Sequence, residues 1–327
     1  MTTDIVDGVW SEGLGDLEDG YSMFYECTAL TAFSSDLSSL TDGYRMFDAC
    51  WNLESFSSDL SSLTNGESMF SSNNLTSFSS DLSNLTNGMN MFSNCQELES
   101  FSSDLSSLTE GSCMFFYCEN LTSFDSDLSS LTNGYQMFQY CRNLTTFTSD
   151  LSSLTNGYYM FETCTNLTSF SSDLSSLTDG MNMFRGCKLD TASVQNIADT
   201  INTPSSKGTI HISIGNSTPN SQEEEAFNTI ASKNWTVYVK VKGGSSTQWN
   251  PTALTPIDGE EQQTPIPFYA KPIACDEEHA QYVDEQGNFY NVLGGNFIYG
   301  DDLSTYGMFT CEEDAAANMR LTKIEKK

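Results

Sequence analysis

The chain has 327 residues, 38% hydrophobic and 12% aromatic, which is enough apolar material for folded cores and too long for one uniform globule. Its 44 acidic and 13 basic residues leave a formal net charge of -31, which repels phosphate backbones and anionic membranes and argues against nucleic acid as a partner. An acidic rod that imitates DNA is a rival reading of this charge, but solubility and self-repulsion account for it with no partner at all.

From the N-terminus, the opening MTTDIVDGVWSEGLGDL lacks the basic and apolar regions of a secretory signal, and no run of 18 apolar residues follows. Neither membrane insertion nor signal-directed export is expected. A repeat then begins. The pair Met-Phe recurs at Met23, Met46, Met69, Met91, Met114, Met137, Met160 and Met183, in steps of 23 residues with one step of 22. In the unit LTTFTSDLSSLTNGYYMFETC the apolar positions Leu144, Phe147, Leu151, Leu154, Met160, Phe161 and Cys164 fit neither a helical nor an alternating period. That spacing predicts a coil of short extended segments and tight turns, about eight rungs tall, whose large side chains are buried by the coils above and below.

Each unit carries a glycine three residues before Met, from Gly20 to Gly180, always after Asp, Asn or Glu. Asn-Gly and Asp-Gly are turn signals in which glycine takes positive φ cheaply, so this glycine is expected at a corner of the coil. Seven of the ten cysteines, Cys27, Cys50, Cys95, Cys118, Cys141, Cys164 and Cys187, share one repeat position, and Asn73 stands there in the short rung. A column of buried thiols is the simpler reading, because parallel side chains on adjacent rungs suit disulfide torsion poorly.

A second column, Asp36, Asp59, Asp81, Asp104, Asp127, Asp150 and Asp173, repeats about once per rung. Two readings stay open for it: carboxylates held by turn N–H groups, and a cation ladder, for which no Asx-x-Asx-x-Asx loop is present. The positions after glycine and after Met-Phe vary between rungs and gather aromatics: Tyr21, Tyr25, Tyr44, Phe116, Tyr117, Tyr135, Tyr140, Tyr158 and Tyr159. They are read as a candidate binding surface for protein or glycan, with packing along the coil edge as the alternative.

The unit starting at Leu144 resembles the BspA-like leucine-rich repeat: Leu144, Phe147, Gly157, Met160, Phe161 and Cys164 fall on the family's consensus places, while SDLSSL departs from its usual Ile-Pro and Val. The resemblance covers about residues 10–188 and extends into the segment after them. It implies a leucine-rich-repeat-like, β-rich solenoid, a role in adhesion or particle architecture, and no catalytic residue to carry over.

From Lys188 the rhythm stops. LDTASVQNIADTI predicts a helix capped by Asp190 or Thr191 with Val194, Ile197 and Ile201 on one face, and GTIHISIG a strand with Ile210, Ile212 and Ile214 inward and His211 outward. Ser221 is expected to cap the helix QEEEAFNTIASK, and WTVYVKV is a second strand. The domain reading is therefore a solenoid over 1–188, an α/β capping unit over 189–242, a Gly/Ser/Pro-rich linker over 243–267 and a small β-rich C-terminal module over 268–327 for attachment or oligomerisation. Within that module a hairpin is expected around Glu285–Asn288, a short terminal helix in CEEDAAANMRLTKIEKK, and a bridge between Cys275 and Cys311.

No phosphate loop, GxSxG, HExxH or CxxC occurs, and His211 and His279 are the only histidines. No catalytic residue, cofactor or metal site is assigned beyond the aspartate column. The expected role is non-enzymatic: a phage virion component, fibre or appendage, that displays the solenoid to other virion or surface proteins or to a host protein or glycan. A bacterial cell-surface adhesin is the alternative and an intracellular scaffold the third. Homo-oligomerisation is assigned to the C-terminal module.

Overall fold

The computed structural model describes residues 10 and 13–250 in full and, beyond them, the backbone of Val9 and of strands between residues 255 and 326. The chain divides into two compact units, Met1–Gly259 and Glu260–Lys327.

In the first unit, two-residue strands β1 to β8 (Val9–Trp10, Ala32–Phe33, Ser55–Phe56, Ser77–Phe78, Ser100–Phe101, Ser123–Phe124, Thr146–Phe147 and Ser169–Phe170) recur once per rung, and neighbours within their sheets pair in parallel, Trp10 beside Phe33 and from there on Phe beside Phe. On the far side of each coil the residue before the glycine bridges its counterpart, from Asp19 beside Asp42 up to Asn156 beside Asp179. Between these two lines of pairing lies the core. The phenylalanines of Met-Phe stack at 5.2–5.6 Å between ring centres, those of β2 to β8 at 5.7–6.0 Å, and the two columns meet edge to face. Three leucine columns and the methionines from Met46 onward close the remaining space with no exposure.

The backbone through Gly-x-x-Met-Phe explains how so short a rung is held. Alternate amides leave the rung: Gly20, Ser22, Phe24 and Glu26 donate to Asp42, Tyr44, Met46 and Asp48 of the next one at 2.8–2.9 Å. The amides between them, Met23, Tyr25 and Cys27, fold back three residues within the rung at 3.0–3.2 Å. With Tyr21 N donating to Asp19 Oδ1 at 2.9 Å, all eight N–H groups from Gly20 to Cys27 are used, four within the rung and four for the stack.

This path corrects the expectation for the glycines. None of Gly20 to Gly180 has positive φ; the left-handed residues are the one two places after each glycine and the one two places after each Met-Phe, fifteen non-glycine residues from Ser22 to Asn182, with Gly186 the single glycine among them. The ladder glycines serve close approach instead. A Cβ on Gly20, Gly43 or Gly66 would lie 2.6–2.9 Å from the sulfur of the next rung's methionine.

Polar side chains repeat the same rung-to-rung logic. Thr64 Oγ1 donates to Thr41 O and Thr155 Oγ1 to Thr132 O, both at 3.0 Å. Asn87 donates its amide to Asn65 Oδ1 and Asn65 to Asp42 Oδ1; farther up, Asn156 donates to Asn133 and Asn133 to Glu110, all at 2.9 Å. Each run ends at a carboxylate, which accepts and cannot pass the chain on. The thiols from Cys50 upward donate to the phenylalanine carbonyl of the preceding rung at 3.0–3.2 Å, and in the short rung Asn73 Nδ2 makes the same bond to Phe47 O at 3.0 Å. All eight cysteines described in full are free.

The Gly-to-Cys arc of the eighth rung is strand β9 (Gly180–Leu189), which leads into α1 (Thr191–Thr200), capped by Asp190, and then β10 (Gly208–Ile214), which pairs in parallel with β9 and sets Ile210, Ile212 and Ile214 beside Gly180, Phe184 and Leu189. The second helix, α2 (Ser221–Ser232), is capped by Asn220 and not by Ser221. Asn220 Oδ1 accepts from Gln222 N and Glu223 N, while the buried Glu223 carboxylate accepts from Asn220 N, a reciprocal capping box that serine one place later could not form. Strand β11 (Trp235–Lys240) adds in parallel to β10. The stretch expected to be a linker then continues the sheet: β12 (Ser246–Asn250) pairs antiparallel with β11, and β13 (Thr255–Ile257) with β12. Trp249 supplies the reason, since its ring is buried against Phe227 and its Nε1 donates to Asn228 at 2.8 Å.

The second unit holds an antiparallel sheet in the order β16-β15-β14-β17-β18, from β14 (Ile266–Cys275), β15 (His279–Asp284), β16 (Phe289–Leu293), β17 (Gly307–Glu313) and β18 (Met319–Lys326). β15 and β16 pair across the expected hairpin, whose tip lies outside the described residues. The expected terminal helix is strand over Met319–Lys326 instead, because seven residues paired to β17 satisfy backbone groups that so short a helix leaves open at both ends. Cys311 lies opposite Ile266, nine residues along β14 from Cys275, about 30 Å at strand rise, so the expected bridge does not form.

Truncating Phe138 to alanine is expected to cost about 3–5 kcal/mol of unfolding free energy, since it empties a place in one aromatic column and removes the edge-to-face contacts with Phe124 and Phe147 of the other. Asn156→Asp should cost about 1 kcal/mol by removing one ladder donor. Urea titrations of the two variants against the parent protein check both values.

Candidate interaction surface

Four places per rung combine sequence variation with a fixed backbone: the two residues after glycine and the two after Met-Phe. The second of each pair is left-handed, a conformation that costs about 1–2 kcal/mol for a residue with a Cβ. Tyr117, Tyr140, Tyr159 and the β-branched Thr163 occupy such places at φ 59–65°. The cooperative stack holds them there.

The nine aromatics expected to form an exposed surface divide sharply. Tyr21 is 66% and Tyr25 38% exposed, Tyr44, Tyr117, Tyr158 and Tyr159 are half-buried, and Phe116, Tyr135 and Tyr140 are buried. The expectation of exposure fails for those last three because rungs about 5 Å apart let rings cover one another. Tyr117 stacks on Tyr140 at 4.2 Å, Tyr135 on Tyr158 at 5.6 Å, and Tyr21 on Tyr44 at 5.0 Å. Burial accordingly raises the hydroxyl pKa of Tyr117, Tyr140 and Tyr159. For these rings the packing alternative describes the geometry.

Polar residues missed in the sequence share the same columns. Arg45 Nε meets Asp48 Oδ2 at 2.7 Å, and its guanidinium lies 4.5 Å from the centre of the Tyr25 ring. Burial still raises the Asp48 pKa, with the Arg45 bond and charge pulling it down. Three rungs share a buried line: the Gln139 amide donates to Glu162, which is 2% exposed, and Arg185 reaches Glu162 Oε1 at 3.3 Å. His211 Nδ1 accepts from Asn182 N at 3.0 Å, and burial followed by the Arg185 charge lowers its pKa to about 4, which keeps it neutral near pH 7. Trp51, one place beyond its rung's cysteine, is 58% exposed. The signals were present as an arginine after glycine and a tryptophan after cysteine, but rung averaging hid them.

The aspartate column lies on another, exposed face. Each Oδ1, from Asp36 to Asp173, accepts from the serine N–H two residues on at 2.7–2.9 Å, the turn role anticipated as one of two readings. That bond lowers the pKa of Asp36 and Asp81. Among the described residues no three His, Cys, Asp or Glu side chains converge as metal ligands, and no helix is long and apolar enough to cross a membrane.

A family model described as BspA type leucine rich repeat region matches the chain in six copies, within residues 19–122 and 85–213. No curated protein and no solved structure matches it.

Two outcomes follow from this geometry. Ala49 is left-handed at φ 58°, so Ala49→Gly is expected to raise stability by about 1 kcal/mol in thermal melts. Burial raises the Cys50 and Cys95 thiols to about 12, so unfolding releases their protons from about pH 9 upward and stability falls as pH rises from 9 to 12. Cys95→Asn, copying the short rung, should flatten that alkaline slope by about one proton in denaturation series between those pH values.

Proposed function

This chain belongs to the BspA-type leucine-rich repeat family, and we propose that it is a non-enzymatic recognition protein that displays variable side chains on a fixed stack of rungs. The observation that carries this reading is the division of labour within each unit. Leu, Phe, Met, Cys, Thr, Asn and Gly columns recur to hold the stack, while the places after glycine and after Met-Phe change from rung to rung on an unchanged backbone. A scaffold with one set of bonds and many surface solutions is what a binding protein needs. The family is one of surface and protein-interaction repeats, which supports the same role.

Two settings of display compete. Membership of the family supports the exterior of a bacterial cell, with a host protein or glycan as partner; a virion fibre or appendage is the second, with other virion proteins as neighbours and the C-terminal sheet as the attachment or self-association point. Mass spectrometry of protease-shaved intact cells and of purified phage particles separates them. Recovery from shaved cells is expected under the first and from particles under the second. Recovery from the soluble cell interior alone would defeat both and leave an intracellular scaffold.

A further inference from the structure

Among the residues described in full, the exposed large hydrophobic side chains are Tyr21, Tyr25 and Trp51, all within the first two rungs, whereas the rings of later rungs pack on one another. Tyr21 stacks on Tyr44, and Arg45, the next residue, lies over Tyr25, which joins the two tyrosines in one patch. Glu26 N donates to Asp48 O at 2.9 Å, which sets the residue after Tyr25 beside the one three places before Trp51. Tryptophan, tyrosine and arginine together are the residue types that dominate binding energy at protein interfaces.

Charge and local geometry indicate what this patch accepts. Residues 13–56 carry eight carboxylates and a single basic residue, Arg45. That arginine already shows the mode of recognition: its guanidinium sits over the Tyr25 ring at 4.5 Å while Asp48 accepts its Nε at 2.7 Å, and Tyr25 stays 38% exposed with the cation in place. Aromatic faces backed by carboxylates attract guanidinium groups and offer nothing favourable to anions.

We infer that the first two rungs form a docking surface for an arginine-rich segment of a partner protein, with Tyr21, Tyr25 and Trp51 as the aromatic bed and Glu26 as a flanking carboxylate. This rests on the recognition role proposed above and names the partner class for its N-terminal end. Complementary charge guides encounter, and the rings supply the specificity that charge alone lacks.

Fluorescence of the full chain provides the test, because of its four tryptophans Trp51 is exposed while Trp10, Trp235 and Trp249 are buried. Hexa-arginine is titrated at 150 mM salt while acrylamide quenching is followed, with a neutral β-linked glucose hexamer as the comparison ligand. The expected result is at least a threefold fall in quenching at saturating hexa-arginine, with no effect of the glucan. Tyr25→Ala should weaken binding at least tenfold and leave the thermal melt unchanged, and Trp51→Ala should do the same by calorimetry. Unaltered quenching overturns the inference. So does equal binding by the parent protein and Tyr25→Ala, which reduces the effect to bulk charge attraction, and so does protection by the glucan alone. If Tyr25→Ala melts early, Glu26→Gln takes its place, with at least a threefold loss expected and no loss overturning the inference. Failure here with recovery at the cell surface or on particles would remove the partner class and leave the recognition role standing.

Discussion

Everything in the solenoid depends on the alternating use of backbone amides in the arc from glycine to cysteine. One amide closes a three-residue turn, the next reaches the adjacent rung, and the pattern repeats until the chain leaves the arc. A rung of about 23 residues cannot bury its own phenylalanines, so without the second set of bonds the first would have nothing to stabilise. With both sets in place, left-handed tyrosines and a left-handed threonine become tolerable, glycine is required where methionine sulfur from the next rung presses in, and rings settle into stacks with rung spacing.

The repeat, the buried columns and the parallel stacking were legible because period and residue type both report them: Leu, Phe, Met and Cys at fixed places leave few foldings that bury them all. The glycine was legible as a marker and misread as a mechanism. Asn-Gly suggests positive φ, but space for Met46 or Met91 is a property of the neighbouring rung that no local motif announces. The same blindness to neighbours hid the fate of Tyr135 and Tyr140, which look like surface residues in one unit and become buried only when the next is laid beside it. Beyond the repeats, local capping misled by one residue at Asn220, and the Gly/Ser/Pro-rich composition around β12 concealed a strand whose tryptophan belongs to the core.

Surface and scaffold are separated unusually well. The aspartates of the exposed face are held to their own turns, the threonines and asparagines to the preceding rung, and the thiols to a carbonyl, so most repeated polar groups are occupied by the fold itself. What remains to distinguish one rung from another is a handful of side chains. At the N-terminal end these are open aromatics with an acidic surround; toward the C-terminal end they are interlocked rings and a buried Gln139–Glu162–Arg185 line. The two ends of one stack are therefore chemically different.

The asparagine ladder has a further consequence for how such a protein changes over generations. Its amides always hand their hydrogen to the preceding unit, and its runs stop wherever aspartate or glutamate replaces asparagine, so each run is a self-terminating block. In-frame gain or loss of whole units within a block leaves every donor with an acceptor. The number of units can then vary with little folding penalty, and the length of the stack is set independently of the side chains at its variable places.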